Sequence, residues 1–317
     1  MRVAVFGAGG TGGFFGGRLA LLPEHDVWFL ARGSHLAAMK DSGLAVTSGS
    51  SSFTVSPCKA TDNPNDIGPV DVVLVCVKAW QVPSVAEALK SSNLLGPDTV
   101  VVPLQNGLDS MRVLTEVLGE QRVCGGLCKI FAYIEGPGRV MNPAGEPSVE
   151  FGGIGGSKAP GPDHPNLIAL KAAFEAAGVK STLFADTTQA IWQKFVFICV
   201  LSAVGCVTRV TWGEIRRSPA TWNLVELCVQ EAAAVAAAKG VPFKEEWVRE
   251  RTQFMRDSLP DNLTPSMQRD IMEGRPSELE TQLGTMTRLA AEAGVATPTF
   301  DLIYGALLPL ENRARAN

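Results

Sequence analysis

Residues 1–31 read MRVAVFGAGGTGGFFGGRLALLPEHDVWFLA, and their pattern decides the fold. The apolar run Val3-Ala4-Val5-Phe6 suits a strand covered on both faces, as in a parallel sheet. Gly7, Gly9 and Gly12 follow as G-x-G-x-x-G, small residues open an expected helix over 10–22, and a second strand is expected at 26–30. In that setting the glycines point to a dinucleotide cradle running through Gly7, Ala8, Gly9, Gly10, Thr11 and Gly12. Gly7 permits the tight turn, Gly9 leaves room for the phosphates, and Gly12 lets the helix pack closely on the strand. The pyrophosphate then lies at a helix N-terminus, where backbone N–H groups are unsatisfied.

The end of the second strand selects the cofactor. A site for NAD usually carries Asp or Glu there to hold the ribose hydroxyls, whereas the 2′-phosphate of NADP needs a cation. This chain has Arg32, followed by Gly33-Ser34-His35 with no carboxylate nearby. The expected cofactor is therefore NADP(H), with Arg32 in the phosphate pocket and Ser34 as a candidate second contact.

With 317 residues the chain has room for two domains, each with its own core. Apolar residues at 46% and charged residues at 19% are a globular balance, and a net charge of −4 without a basic stripe excludes a nucleic-acid-binding surface. Arg18 interrupts the first apolar stretch and no basic leader precedes it, so the N-terminus reads as retained rather than as a signal peptide. The apolar stretch 195–207, with Ser202 inside it, is expected to be a buried helix too short for a membrane span. Seven cysteines, an odd number without a C-x-x-C pair, point to a reducing cytoplasm; Cys124 and Cys128 read as core residues, and no metal site is expected.

Strand candidates recur at 2–6, 26–30, 70–77 and 99–104 with helical stretches among them, an α/β rhythm. A short hairpin is expected at 44–47 and 53–55, further strands at 122–133, 139–141 and 148–151, a helix at 165–177 and a strand at 181–184. Beyond Ala185 the pattern is helical alone. Asp186 with Gln189 reads as a capping pair for a long apolar helix through 206, and helices are expected at 220–239, 244–258, 266–273, 277–293 and 298–312. The expected domains are a cofactor-binding α/β domain over 1–184 and an all-helical domain over 185–317.

In open α/β sheets the ligand lies beyond the carboxyl ends of the strands. Lys78 follows the strand 72–77 and Asn106 follows the strand ending at Leu104, so either is placed to meet cofactor and substrate; each also reads as a helix-start lysine or an ordinary Asn-Gly turn. Lys194 heads the apolar helix. An ammonium there suits carbonyl reduction, because the oxygen gains negative charge as hydride reaches carbon, and a surface-reaching lysine is the plain alternative. Glu278 is expected in the first turn of a helix begun by Pro276, which the helix dipole alone explains. The three histidines, His25, His35 and His164, all fall in the first domain and none follows a strand end, which leaves lysine as the candidate acid.

Five motifs in order, Gly7-Ala8-Gly9-Gly10-Thr11-Gly12, Val77-Lys78-Ala79-Trp80-Gln81, Leu104-Gln105-Asn106-Gly107, Trp192-Gln193-Lys194, and Pro265-Ser266-Met267-Gln268-Arg269-Asp270 leading to Ser277-Glu278, give a pattern that resembles the ketopantoate reductase family over nearly the whole chain. The resemblance implies a Rossmann-type doubly wound domain joined to a helical domain like the C-terminal one of 6-phosphogluconate dehydrogenase, with substrate in the cleft between them. It implies NADPH-dependent reduction of a 2-oxo acid, ketopantoate to pantoate in pantothenate biosynthesis, by an enzyme whose partners are its small-molecule substrate and a second copy in a homodimer, with no membrane. By the same resemblance Lys194 is the proton donor, Glu278 a cleft glutamate touching lysine, cofactor or substrate, and Asn106 a contact to nicotinamide and substrate. Lys78 and Ala132 fall on cofactor contacts, and Ser266 on a serine that holds the substrate carboxylate.

The departures are specific. Where the pantoate-forming enzymes carry asparagines one and two turns beyond the lysine, this chain has Ile198 and Ser202, and a further polar substrate position is Trp212. Each lost amide contact costs on the order of 1 kcal/mol, so a more apolar substrate pocket is expected. Two other readings remain: another two-domain hydroxy acid or opine-type dehydrogenase, disfavoured by the lack of a usable histidine, and a non-catalytic NADP-sensing protein, disfavoured by the joint presence of Lys194, Asn106 and Glu278.

Overall fold

The computed structural model describes residues 1–143 and 145–316, so the expected limit of the second domain at 317 lies outside the described residues. The chain divides into two compact units. One comprises Met1–Gln105 with Ser110–Thr188, the other Asn106–Asp109 with Gln189–Asn317. An expected division at 184/185 makes no provision for the four residues 106–109, which leave the first half of the sequence to join the helices.

The first unit runs β1 (Arg2–Phe6), α1 (Gly10–Ala20), β2 (Asp26–Leu30), α2 (Gly33–Ser42), β3 (Leu44–Ser48), β4 (Ser51–Val55), β5 (Ala60–Thr61), β6 (Val70–Val75), α3 (Val82–Ser91) and β7 (Leu95–Pro103). It continues with α4 (Asp109–Leu118), β8 (Gly125–Lys129), β9 (Tyr133–Gly136), β10 (Arg139–Asn142), β11 (Ser148–Gly152), α5 (Pro165–Ala176) and β12 (Lys180–Phe184). Its main sheet has five strands in the order β5-β2-β1-β6-β7, every pairing parallel. The uninterrupted apolar runs follow from burial on both faces. Val3 and Val5 of β1, with Val72 and Leu74 of β6, pack against Phe14 and Phe15 of α1 and Phe174 of α5. Their neighbours Ala4, Phe6, Val73 and Val75 pack on the other face against Val82, Val85 and Leu89 of α3 and Leu114 of α4. Each fully buried Val or Leu contributes about 1.5–3 kcal/mol.

Two smaller sheets complete the unit, ordered β4-β3-β10-β9 and β12-β11-β8. The hairpin of β3 and β4 therefore belongs to a separate sheet. The single strand expected over 122–133 is corrected: it divides into β8 and β9, in different sheets, and the break falls at residues 130–132. Alternation could not reveal the break, because Ile130, Phe131 and Ala132 within it are themselves apolar while the hydrogen-bonding partners change across it.

The second unit holds α6 (Thr188–Thr208), α7 (Trp212–Arg217), α8 (Pro219–Ala238), α9 (Glu245–Asp257), α10 (Ser266–Met272), a π-helical segment Glu280–Gly284 running directly into α11 (Thr285–Ala293), and α12 (Pro298–Ala316). Its core includes Phe195, Cys199 and Val200 of α6 with Trp222, Val225 and Val229 of α8 and Phe300 of α12. The expectation that the apolar helix is too short for a membrane is corrected. At 21 residues α6 is long and apolar enough to cross one, about 31 Å at 1.5 Å per residue, and 67% of its apolar window is buried inside the protein. Its start also differs from the expected Asp186–Gln189 pair: the Asp186 carboxylate accepts from the backbone N–H of Thr188 (2.9 Å) and of Gly155 (2.9 Å). Those bonds, led by the Thr188 side chain, hold the Asp186 carboxyl below its ordinary range.

Candidate active site

The first constellation is the glycine loop between β1 and α1. Gly7 has a φ of +101°, which a side chain would strain, and its N–H donates to the Leu30 carbonyl of β2 (3.0 Å). A Cβ at Gly12 would collide with the Gly7 carbonyl oxygen and stand 2.9 Å from Cys76 Cβ and Val5 Cγ1, so glycine is needed for α1 to lie on β1 and β6. At Gly9 the situation is reversed: a Cβ would meet nothing within 4 Å. Gly9 is also the N-cap of α1 and offers no side-chain cap, so no side chain of its own occupies the helix N-terminus. That open cradle fits a dinucleotide pyrophosphate, with the three glycines in the three roles the fingerprint requires.

Around it stand the other cofactor candidates of this unit. Arg32 caps α2 after β2; its side chain is exposed and makes no hydrogen bond or ion pair among the described residues. Ala132 lies in the break between β8 and β9 with its backbone against Gly10, where an added Cβ would meet the Ala132 carbonyl and stand 2.7 Å from the Tyr133 nitrogen. Lys78 is exposed just beyond β6, its ammonium 5.6 Å from the centre of the Trp80 ring. Gln105, buried, donates to the carbonyls of Val75 (2.7 Å) and Val77 (3.0 Å) and so fixes the end of β6 that carries Lys78.

The second constellation belongs to the helical unit. Asn106 Nδ2 donates to Glu278 Oε2 at 3.2 Å, and Gln282 Nε2 donates to the same oxygen at 3.2 Å. Glu278 is only 7% exposed, yet its other oxygen has no partner among the described residues and remains available to a donor. Residues 106–109 are fastened to this unit on either side of that bond. Gly107 approaches the Thr281 carbonyl so closely that a Cβ would sit 2.8 Å from it, and Asp109 accepts from Thr285 Oγ1 (2.7 Å) and from Arg288 Nη2 (3.0 Å to each oxygen).

Glu278 is positioned by a buried network. The expected start of its helix at Pro276 is corrected: Ser277 Oγ accepts from the Leu279 N–H (3.2 Å), making Ser277 the cap. Ser277 in turn donates from its N–H (3.1 Å) and its hydroxyl (2.5 Å) to Glu311 Oε2 on α12, and Arg315 closes the group, 2.7 Å from Glu311 Oε1 and 3.0 Å from the Ser277 carbonyl. The π-helical turn follows at once and adds one residue to the helical repeat. It begins two residues after Glu278 and carries Gln282, whose amide donates to the Glu278 carboxylate (3.2 Å).

Lys194 sits in the second turn of α6, half-buried, without a hydrogen bond or ion pair among the described residues. Ile198 and Ser202 follow at intervals of four on the same helical face, Ile198 half-buried and Ser202 2% exposed. Ser266, exposed, is the first residue of α10. Trp212 is fully buried and its Nε1 donates to the Met255 carbonyl (2.6 Å), which makes it a core residue of the helical unit. The structure thus brings Asn106 to Glu278 and Ala132 to Gly10, and among the described residues it gives Lys194 no hydrogen-bond or ion-pair partner. Gln282, Asp109, Arg288 and Glu311 were not foreseen; only their i+4 and cap spacings around Glu278 carried a signal.

Residues 3–156 match the family described as ketopantoate reductase PanE/ApbA, and residues 186–311 match its C-terminal part. A 2-dehydropantoate 2-reductase of Halobacterium salinarum is 30% identical over 300 residues, 94% of this chain and 95% of the relative. The crystal structure of 2-dehydropantoate 2-reductase from Geobacter metallireducens superposes with a TM-score of 0.87 at 28% identity, covering 99% of this chain and all of the other. A ternary structure of D-mandelate dehydrogenase with NADH and anilino(oxo)acetate reaches a TM-score of 0.86 over 99% of each chain; at 22% identity that likeness concerns the fold alone.

Proposed function

The chain belongs to the ketopantoate reductase family, and from that premise we propose that it reduces a 2-oxo acid to the 2-hydroxy acid with NADPH. The loop from Gly7 to Gly12 holds the pyrophosphate, Arg32 binds the 2′-phosphate, and Lys78, Ala132 and Asn106 complete the cofactor contacts. When bound, the reduced nicotinamide supplies a hydride to C2 of the keto acid. Lys194 stabilises the negative charge that develops on the carbonyl oxygen and transfers its proton there, leaving a neutral amine to be reprotonated from solvent. Ser266 takes the substrate carboxylate, Glu278 receives a donor on its unpaired oxygen, and Asn106 keeps that carboxylate oriented.

The observation that supports the reading most is the Asn106–Glu278 hydrogen bond, which joins residues 172 apart in sequence that both belong to the family's pattern. The same reading divides the chain into a cofactor domain over 1–184 and a substrate domain over 185–317, with Asn106 working in the latter, and locates the enzyme in the cytoplasm. We further propose that the substrate is less polar than ketopantoate. Ile198 replaces an amide, Ser202 is too short to do its work, and the indole N–H of Trp212 is already bonded inside the core. Steady-state oxidation of NADPH with ketopantoate and with branched and aromatic 2-oxo acids tests both statements. A clear preference for ketopantoate overturns the apolar pocket, and no turnover with any of them favours a non-catalytic NADP-binding protein.

A further inference from the structure

Among the three histidines excluded as the acid, one has an arrangement that general acid chemistry does not need. His35 is the third residue of α2, three positions after Arg32, and is half-buried. Its Nε2 is 2.9 Å from the carbonyl oxygen of Ala8 in the glycine loop, and its Nδ1 is 3.1 Å from the backbone nitrogen of Gly138 in the turn between β9 and β10. The chemistry of these partners dictates the tautomer. A backbone N–H can only donate, so Nδ1 accepts and carries no proton; a carbonyl can only accept, so Nε2 carries it.

We propose that His35, held as the neutral Nε2–H tautomer between the Ala8 carbonyl and the Gly138 amide, is a positioning residue for dinucleotide binding. The inference rests on the reading that the glycine loop holds the cofactor. A peptide unit is planar and trans, so anchoring the Ala8 carbonyl also sets the direction of the Gly9 N–H on the far side of the same plane. That N–H has no partner among the described residues, whereas the next peptide is already held by the helix, the Gly9 carbonyl accepting from the Gly13 N–H (2.7 Å). His35 removes the rotational freedom that a phosphate would otherwise have to remove on binding. The turn at its other end is itself anchored, since the Gly138 carbonyl accepts from the Ala45 N–H of β3 (2.9 Å).

Protonation would dismantle this arrangement. A second proton on Nδ1 would face the Gly138 N–H, donor against donor. Burial pushes the His35 pKa below its ordinary value, with the Ala8 carbonyl opposing part of the shift, so the neutral form persists at neutral pH. On the elements that touch the ring, the charged groups are Arg32 at the N-cap of α2, Lys40 and Asp41 in its last turn, and the mutually paired Glu135 and Arg139 flanking the turn (side chains bonded at 3.1 Å); none is bonded to the imidazole. The glycine loop itself carries no titratable side chain.

The test is fluorescence titration of NADPH and NADH against the wild type and the variants His35→Gln, His35→Asn and His35→Ala, with NADH serving because it lacks a 2′-phosphate that titrates in the same range. A glutamine amide reaches the Nε2 position and can still donate to Ala8, whereas an asparagine reaches only the Nδ1 position. Expected at pH 7.5 is binding within about 3-fold of wild type for His35→Gln and about 10-fold weaker for His35→Asn and His35→Ala, the scale of one hydrogen bond. The wild-type affinity for NADH is constant above pH 6.5 and falls as the pH drops through the depressed His35 pKa below it, and that of His35→Gln stays flat. Nitrogen-15 NMR of the free wild-type protein shows the Nε2–H form. Equal affinities across the variants, an unchanged pH profile or the Nδ1–H form overturns the inference and leaves the functional reading standing. Failure of the wild type to bind either dinucleotide overturns both.

Discussion

Gly9 and Gly12, three residues apart in sequence, separate binding from stability. At Gly12 a methyl group would stand 2.9 Å from Cys76 Cβ and Val5 Cγ1 and closer still to the Gly7 carbonyl. Ordinary contact begins at 3.4 Å, so at least 0.5 Å of movement is required, and the obstacles are a strand side chain and backbone rather than a flexible side-chain end. Overpacking of that kind costs about 1–3 kcal/mol, which for a domain of this size lowers the melting temperature by roughly 2–12 °C. At Gly9 the same methyl group meets nothing within 4 Å, and the residue's φ of −70° suits alanine. Gly9→Ala is therefore expected to fold with a melting temperature within a few degrees of wild type, while its methyl group occupies the space where the pyrophosphate must approach. A loss of NADPH affinity of 10-fold or more, about 1.4 kcal/mol, is expected. Differential scanning calorimetry and NADPH fluorescence titration on both variants read the two effects independently. Wild-type affinity in Gly9→Ala refutes the cradle, and wild-type stability in Gly12→Ala refutes the packing argument.

Lys194→Met is expected to lower kcat by about 10²-fold or more with NADPH affinity unchanged, as the loss of a general acid does; single-turnover kinetics and fluorescence titration check it. Arg32→Ala is expected to weaken NADPH about 10- to 150-fold, the range of a charge-assisted hydrogen bond, and to leave NADH nearly unaffected, as calorimetric titration of each will show. Glu311→Ala strips the partner from the Ser277 N–H, the Ser277 hydroxyl and Arg315, and is expected to cost about 2–3 kcal/mol in urea unfolding, less than a wholly buried pair because Arg315 reaches solvent. Because the folded-state pKa of His35 lies below its ordinary 6.5, the unfolded chain takes up the proton first. Its contribution to stability is therefore complete above that value and is lost as pH falls through the depressed one, a slope in melting temperature that His35→Gln should flatten.

The sequence was most informative where one local rule sufficed. The strand–glycine–helix unit at the N-terminus, the change from mixed to purely helical periodicity near Ala185, and the placing of Lys194 near the head of an apolar helix all rest on neighbours within a few turns of chain. It was least informative where a residue's partner lies far along the chain. The division of residues 122–133 between two sheets depends on which strands arrive beside them, and the role of Ser277 as a cap depends on Glu311 of α12. His35 looked unremarkable because neither the Ala8 carbonyl nor the Gly138 amide has any side-chain signature.

By itself, then, the order of residues determined the α/β and helical halves, the dinucleotide loop and the chemical types available for catalysis, because apolar period, glycine steric freedom and side-chain charge are properties of short segments. Tertiary structure alone decided that residues 106–109 belong with the helices, that Glu278 is shared by two amides, and that a histidine braces the loop. Those outcomes depend on the satisfaction of buried donors and acceptors, and burial brings groups together across the whole chain.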